Sequence, residues 1–252
     1  MDKKLLNSMF ENLLHIGNKA NYWNPQMRDY IYGVTNWIHV FNLIKTVNEF
    51  ENLKEKLVEL TKEWKKILFV ATKLQARDAF SNLAKETGNY YVSEKWVPGL
   101  LTNFKTIRKR INTYIKLSAD LESGALDVLP KKEKATKLHE LEKLDKAFKG
   151  LKDMKRLPDV IFVVDGAFEK QAVKEANSLK MPAYAVLNTN GNPNLVEAFI
   201  PANTNSVKSL DFIASALKDA LVWVKPAKKA STIKKVAPKK TATKKTTKKE
   251  EK

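Results

Sequence analysis

Five short runs of the chain are rich in β-branched and aromatic residues, and several are apolar at every position. They span residues 38–43, 67–71, 90–92, 160–164 and 183–187. A strand can be apolar on both of its faces only where helices cover both faces of its sheet, as in parallel sheets. The runs therefore predict a mostly parallel, five-stranded sheet that is buried between two layers of helix.

Helical patterns alternate with these predicted strands. Apolar residues recur three or four positions apart within residues 47–62, 75–87, 169–179 and 206–223. A short amphipathic helix is also predicted at the N-terminus, where Asn7, Glu11 and Asn12 interrupt the apolar positions. Strands that alternate with helices form βαβ units. The predicted fold class is α/β, with an open, doubly wound, flavodoxin-like sheet.

The segment between the third and fourth predicted strands carries two further helical patterns and no strand signal. The first stripe consists of Ile107, Ile111, Tyr114, Leu117 and Leu121. The second consists of Leu138, Leu141, Leu144, Phe148 and Leu151. Each stripe is narrow, as in a coiled coil, and turn residues separate the two. We expect an antiparallel helical hairpin inserted into the α/β domain.

Charge divides the body of the chain from its C-terminus. Residues 225–252 hold twelve lysines and two glutamates, which is +10 of the chain's net charge of +18. This stretch has too few large apolar residues to fold, so we predict a disordered tail that acts either as a polybasic RNA arm or as a solubility tail. The predicted divisions are 1–101 and 153–224 for the α/β domain, 102–152 for the hairpin and 225–252 for the tail.

Composition excludes several classes of function. The chain has no cysteine, which rules out disulfides, thiolate catalysis and cysteine-ligated metals. No segment approaches the roughly 20 apolar residues of a membrane helix, so we expect a cytoplasmic protein without a membrane partner. A net charge of +18 attracts polyanions, and nucleic acid is the first partner to consider.

An α/β sheet also suggests a nucleotide-binding enzyme, yet the glycine loops of such enzymes are missing. The eight glycines are too scattered to form a dinucleotide fingerprint or a phosphate-binding loop. The three histidines lack metal-ligand spacing. Asp165 before Gly166 is expected to cap a helix rather than act in catalysis. We therefore expect no enzyme, no catalytic residue and no cofactor or metal.

Basic and aromatic residues interleave in a first segment, residues 19–28. The candidate RNA contacts in this loop-like run are Lys19, Tyr22, Trp23, Asn24 and Arg28. Cations bind phosphates, and planar rings stack on unpaired bases. The alternative for Trp23 is packing over the edge of the sheet.

A second candidate segment runs from Trp96 into the hairpin's first helix. Thr102 or Asn103 is expected to cap that helix. The candidate RNA contacts here are Trp96, Thr102, Asn103, Lys105, Arg108, Lys109 and Arg110. Cations at a helix start oppose its dipole and cost a few tenths of a kcal/mol each unless an anion is bound. This conflict favours a phosphate-binding site.

A third candidate site follows the second predicted strand. Thr72 and Gln75 have the spacing of a capping box, which would start a helix at this point. The same helix start, flanked by Lys73 and Arg77, can bind an RNA phosphate through its free N–H groups. A cap and a phosphate contact are compatible with each other, so both interpretations stand.

Ordered motifs along the chain resemble the bacterial small-subunit ribosomal protein S-two family. The resemblance covers about residues 6–221. The motifs that carry it lie at Tyr22 to Met27, Ile38 to Thr46, Lys66 to Lys73, Trp96 with Gly99 to Arg110, Leu141 to Leu144, and Pro158 to Asp165 with Glu169, Ala172, Glu175, Ala176 and Pro182. One departure is at residues 15–18, where His-Ile-Gly-Asn stands in place of the family's His-Phe-Gly-His. The resemblance therefore does not carry over a metal contact by the second histidine.

The resemblance implies a non-catalytic constituent of the small ribosomal subunit. Its α/β domain and hairpin would contact rRNA between head and body, and it would help to dock the S-one-type ribosomal protein. Small-subunit rRNA and neighbouring ribosomal proteins are the expected partners, with no self-oligomer. Two other hypotheses remain open from the sequence: a nucleotide-binding enzyme, and a free basic DNA-binding protein driven by the tail.

Overall fold

A computed structural model of the protein describes residues 3–223, with the side chains of residues 127, 128 and 223 left out. The predicted tail lies outside these residues. The strands are β1 (Ile16–Lys19), β2 (Ile31–Thr35), β3 (Ile38–Phe41), β4 (Ile67–Val70), β5 (Tyr90–Val92), β6 (Val160–Val164), β7 (Ala183–Leu187) and β8 (Ala198–Pro201). The α-helices are α1 (Lys3–Glu11), α2 (Leu43–Lys62), α3 (Arg77–Thr87), α4 (Phe104–Glu122), α5 (Lys131–Phe148), α6 (Lys170–Ser178) and α7 (Val207–Trp223).

The central sheet has five parallel strands in the order β5-β4-β6-β7-β8. This confirms the predicted doubly wound α/β fold. The chain runs outward from β4 to β5 and then returns to the other side of β4, so the winding direction reverses between β4 and β6. In open α/β sheets such a reversal leaves a crevice at the carboxyl ends of the strands, where ligands commonly bind.

Helices cover both faces of the sheet, which explains why its strands are apolar throughout. Ile67 and Phe69 of β4 point into a core formed with α1, α2, α3 and α7. Leu68 and Val70, the intervening residues, point into a second core formed with α4, α5 and α6. All four residues are fully buried. Successive side chains of a strand point to opposite faces, so both sets must be apolar.

The first predicted strand is present, but it does not belong to the parallel sheet as predicted. Residues 38–41 form β3, which lies in a separate three-stranded antiparallel sheet with the order β1-β3-β2. The fifth strand of the parallel sheet is β8, which had not been predicted. The first error arose because an apolar run indicates burial but not which strand lies beside it. The second arose because β8 has only four residues and ends at Pro201, a residue that usually argues against a strand.

The predicted helical hairpin is present between β5 and β6. Its helices are antiparallel, since Tyr114 on α4 bonds to Asp145 on α5 while the earlier Arg108 bonds to the later Met154. The apolar stripes are buried at the end near the sheet, where Ile111 and Phe148 join the second core. Leu121, near the far end, is exposed. The hairpin therefore packs on the sheet at its base and extends from it.

Membrane insertion finds no support in the described part of the chain. None of the helices within residues 3–223 combines the length and the apolar character that crossing a bilayer demands.

Candidate nucleic-acid interface

A single carboxylate organises the loop between β5 and α4. Glu175 on α6 accepts hydrogen bonds through Oε1 from the Trp96 indole at 3.1 Å and from the Gly99 N–H at 2.8 Å. Its Oε2 accepts from the Leu101 N–H at 3.1 Å. Burial would raise the pKa of Glu175, but these donors and Gln171 outweigh it and hold the pKa below the ordinary value. The charged carboxylate thus sets the course of the chain into α4.

The Trp96 side chain stabilises this loop and is largely buried. Its side chain is only 7% exposed and packs into the second core. Thr102 is exposed, and its N–H lies 3.5 Å from Glu175 Oε2. Of the candidate contacts in this segment, the structure buries Trp96 and leaves the following residues at the surface.

Helix α4 begins with exposed cations and no side-chain cap. Asn103 occupies the cap position, as expected, but its side chain makes no capping hydrogen bond, and the first turn holds no acid. Lys105, Lys109 and Arg110 are exposed. Within residues 3–223 none of these three forms an ion pair. Arg108 is half-buried and donates to the Met154 carbonyl at 2.8 Å, so it also ties α4 to the end of the hairpin.

The loop at residues 19–28 lies against the segment that follows β7. The N–H of Asn24 donates to the carbonyl of Thr189, just after β7, at 2.7 Å. The Asn24 side chain accepts from the Gln26 N–H and starts a 3₁₀ helix at Pro25–Tyr30. Lys19, Tyr22 and Arg28 are exposed, while Trp23 sits 5.4 Å from the ring of buried His39. Trp23 therefore packs at the sheet edge and still has an exposed face.

The candidate contacts after β4 are already paired. The ammonium of Lys73 lies 2.8 Å from Asp165 Oδ2, 3.2 Å from Thr204 Oγ1 and 2.6 Å from Asn205 Oδ1. Only 15% of its side chain is exposed. Arg77 donates to the Thr72 carbonyl and lies 3.3 Å from Glu94. A phosphate that binds either cation has to compete with a carboxylate.

The predicted capping box at Thr72 is absent. Helix α3 begins at Arg77, and Ala76 at the cap position makes no side-chain bond. The Thr72 backbone N–H and hydroxyl instead donate to Glu169, which is buried. Burial raises the pKa of Glu169, with the Thr72 bonds opposing and nearby Asp165 adding to the rise. Thr72 thus bonds to buried Glu169 at the strand ends and does not cap α3.

Asp165 acts before α6, as the sequence suggested, although it is not the cap residue itself. Its Oδ1 accepts from the Phe168 N–H at 3.3 Å, and its carbonyl accepts from the Phe168 and Glu169 N–H groups. The cap position of α6 is Glu169. Glu169 is also the second acid beside Asp165 that sequence spacing alone had not identified.

Asn18 lies at this same edge of the parallel sheet. Its side-chain amide donates to Asn190 and accepts from Asn205, both at 3.0 Å. Within residues 3–223 no three histidine, cysteine or acidic side chains are grouped so that they could hold a metal ion. The residues around position 18 therefore form an amide network, and they do not fit the metal contact considered for the family's second histidine.

Tertiary structure brings the candidate segments to one side of the molecule. Lys73 and Arg77 follow the carboxyl end of β4, and the Trp96 segment follows that of β5. The Asn24 loop bonds to Thr189 after β7. Carboxyl ends of parallel strands meet at one edge of a sheet. Segments up to 165 residues apart in the chain thus converge. Of their cations, Lys19, Arg28, Lys105, Lys109 and Arg110 form no ion pair with another residue of 3–223.

Comparison with known families covers most of these residues. Residues 9–223 match the model of the family described as Ribosomal protein S2. The chain belongs to the ribosomal protein S2 family. The resemblance inferred from the motifs is confirmed, and the matched region contains both sheets and the hairpin.

Individual members of the S2 family are similar over most of their length. The chain is 39% identical over 217 residues to Small ribosomal subunit protein uS2 of Baumannia cicadellinicola subsp. Homalodisca coagulata, which covers 86% of this chain and 94% of that protein. It is 37% identical over 233 residues to the uS2 protein of Buchnera aphidicola subsp. Cinara cedri, with coverage of 92% and 97%. For the uS2 protein of Petrotoga mobilis, identity is 39% over 208 residues, with coverage of 82% and 72%.

Two features of this S2-family chain were not found by sequence reasoning. Glu175 was noted only as part of a motif, and four of its hydrogen-bond donors come from a loop more than 70 residues away. The second feature is the exposed β2–β3 turn, which contains no charged residue and so was not among the candidate RNA contacts. An unbroken uncharged run at residues 30–38, in a chain with 29% charged residues, was the available signal.

Proposed function

We propose that the chain is a structural constituent of the small ribosomal subunit that binds rRNA phosphates at the start of α4. The supporting observation is that Lys105, Lys109 and Arg110 are exposed, and within residues 3–223 they have no acidic partner, on a helix start without a side-chain cap. Membership of a ribosomal protein family supports the same conclusion.

A bound phosphate would relieve the electrostatic conflict at this helix start. The N-terminal end of a helix carries a partial positive charge, and cations placed there repel it. Free N–H groups and nearby cations together form an anion site. Because Glu175 fixes the preceding loop, the site is built before RNA arrives, which reduces the entropy lost on binding.

The remaining candidate contacts take second place in this proposal. Lys19, Tyr22, Trp23, Asn24 and Arg28 offer exposed or half-exposed groups on the same side of the molecule. Lys73 and Arg77 contribute only where a phosphate replaces their present carboxylate partners. Trp96, Thr102 and Asn103 act chiefly by shaping the chain that leads into α4.

The family resemblance also suggests where in the subunit the protein binds. We propose that the α/β domain and hairpin contact rRNA between the head and body of the subunit, beside other small-subunit proteins that include the S-one type. The protein would act in the cytoplasm within the ribosome, as a monomer and without catalysis. Calorimetric detection of tight, stoichiometric ATP or NAD binding would revive the alternative of a nucleotide-binding enzyme.

Neutralising the free cations tests the phosphate site. The variant Lys105→Ala, Lys109→Ala, Arg110→Ala leaves Arg108 and its bond to Met154 in place. Each lost phosphate contact should reduce the slope of log affinity against log salt by about 0.7 to 0.9. We expect a reduction of about 2 to 3 for small-subunit rRNA, together with poorer incorporation into subunits.

A control with the same charge change is available on α5. Lys137, Lys143 and Lys146 are also exposed and lie beyond the first turn of that helix, and their replacement by alanine removes three charges from the same hairpin. This control should leave the salt slope nearly unchanged. Equal losses in both variants would show that only total charge matters, and the site assignment would fail.

A further inference from the structure

The turn between β2 and β3 places a bulky residue where the backbone favours glycine. Asn36 and Trp37 connect the strands, with φ values of 49° and 63°. Two-residue hairpin turns with positive φ at both positions strongly prefer Asn-Gly. Asn36 follows this preference and Trp37 does not. A large side chain with positive φ is strained, and such strain is often retained for function.

Packing within the fold does not compensate for this strain. Trp37 is 84% exposed. Its carbonyl accepts a hydrogen bond from the Ala20 N–H, but its indole makes neither a hydrogen bond nor a ring contact with any other described residue. The backbone bond would be available to any residue at this position. Contacts within residues 3–223 therefore give no structural reason for a tryptophan at this position.

A surface cavity of about 590 Å³ lies beside the ring. It is lined by Lys19, Ala20, Asn21, Asn36, Trp37 and Ile38. The lining holds one cation, two amides, one large aromatic ring and no acid. Lys19 pairs with Ile38 across the sheet, so the cavity is formed by the β1 and β3 strands and the turn. Its size is within the range of small-ligand pockets.

From this lining we infer that the cavity binds a nucleobase of unpaired RNA. The Trp37 ring offers a stacking face, Asn21 and Asn36 can bond the edge of a base, and Lys19 can meet one phosphate. Recognition of single-stranded RNA uses this combination of stacked aromatic rings and base-edge hydrogen bonds. A duplex backbone would need several cations, and the hairpin from Tyr30 to Asn42 contains no lysine or arginine.

This base pocket is separate from the phosphate site at the start of α4. The α4 cations would bind phosphates through charge, whereas the pocket would bind a planar base through stacking. Tyr22, which follows the cavity-lining Asn21 in the chain, is also exposed. Failure of either site in experiment leaves the other intact.

Two RNA probes isolate the stacking from the charge. The full chain is titrated with hexauridylate and with an abasic hexamer that has the same phosphates and no bases. Binding through the lysine-rich residues 225–252 contributes equally to both. One stacked base is worth roughly fivefold to 150-fold in affinity. We expect a preference of this size for hexauridylate, and equal affinities would overturn the proposal.

Trp37→Gly tests the ring, with Trp64→Gly as its control. Both tryptophans have φ near 60° and are mostly exposed, so the two substitutions change the backbone preference alike. The Trp37 variant creates Asn-Gly and should keep or raise the melting temperature while losing the base preference. The Trp64 variant should keep that preference. Retained preference in the first variant, or its loss in the second, would contradict the assignment.

Trp37→Tyr provides a further check. Tyrosine keeps a planar ring at the turn, so this variant should retain most of the preference for hexauridylate. Loss as large as in Trp37→Gly would mean that stacking is not the interaction. The α4 variant with three alanines should keep its preference between the probes, which distinguishes this pocket from the phosphate site.

Discussion

At the scale of single residues, the path of the chain into α4 depends on one charge. Glu175 is 4% exposed and receives hydrogen bonds from two backbone N–H groups and from Trp96 within 3.1 Å. A carboxylate can accept all of these, whereas a neutral amide would turn one N–H₂ group towards a donor. The negative charge is therefore the stabilising form in the folded protein.

Glu175→Gln should destabilise the protein in a pH-dependent way. The folded pKa of Glu175 is lowered, so its stabilisation is present above the unfolded pKa of about 4.5 and is lost as the pH falls through the folded value. We expect a loss of about 1 to 3 kcal/mol at pH 7 in urea unfolding. The difference from wild type should shrink below pH 4.5. A constant difference across this range would show that charge is not involved.

At the scale of elements, the hairpin is joined to the sheet by a close backbone approach. A Cβ added to Gly150 would lie 2.2 Å from the Tyr91 carbonyl oxygen and 2.6 Å from the Tyr91 ring. Gly150 follows α5, and Tyr91 lies in β5. The contact sets how the base of the hairpin seats against the edge strand, and with it the position of the α4 cations.

Gly150→Ala should therefore weaken the docking of the hairpin. Because the obstructing atoms belong to the backbone and a buried ring, the sheet or hairpin must shift, which typically costs about 1 to 3 kcal/mol. Denaturant unfolding measures this loss. Gly33→Ala is the matched control, since a Cβ there meets nothing within 4 Å. An equal loss in both variants would refute the steric explanation.

At the scale of the whole molecule, more than half of the net charge lies outside the region that holds the proposed phosphate site. Residues 225–252 carry +10 of the net +18. The family model matches residues 9–223, so residues 225–252 lie outside that match. The free cations of α4 lie within that region. The long-range attraction of residues 225–252 for polyanions can therefore be tested separately from the proposed phosphate contacts of α4.

Removing residues 225–252 should separate these two contributions. We expect weaker binding to nonspecific nucleic acid and a smaller salt slope, because counterion release falls with the number of cations. Incorporation into small subunits, followed by sedimentation, should persist. Loss of all nucleic-acid binding in the truncated chain would favour the alternative of a DNA-binding protein driven by the tail.

Periodicity predicted the helices and most of the strands because it records local burial. The observed α2, α3, α6 and α7 each end within one residue of the predicted ends, although α2 starts four residues earlier. The pattern could not assign β3 to its own antiparallel sheet. His39 and Phe41 are buried there and Ile38 is 38% exposed, an alternation too short to distinguish from a fully buried run.

By itself the sequence determined the α/β class, the inserted hairpin and the family, since these depend on patterns within short windows and on ordered motifs. Only the tertiary structure decided which cations are free. Lys73 meets Asp165 across 92 residues, and Trp96 meets Glu175 across 79. Such partners are set by strand order and register, and they leave no trace in local spacing. The same holds for Trp37, whose side chain is 84% exposed among residues 3–223.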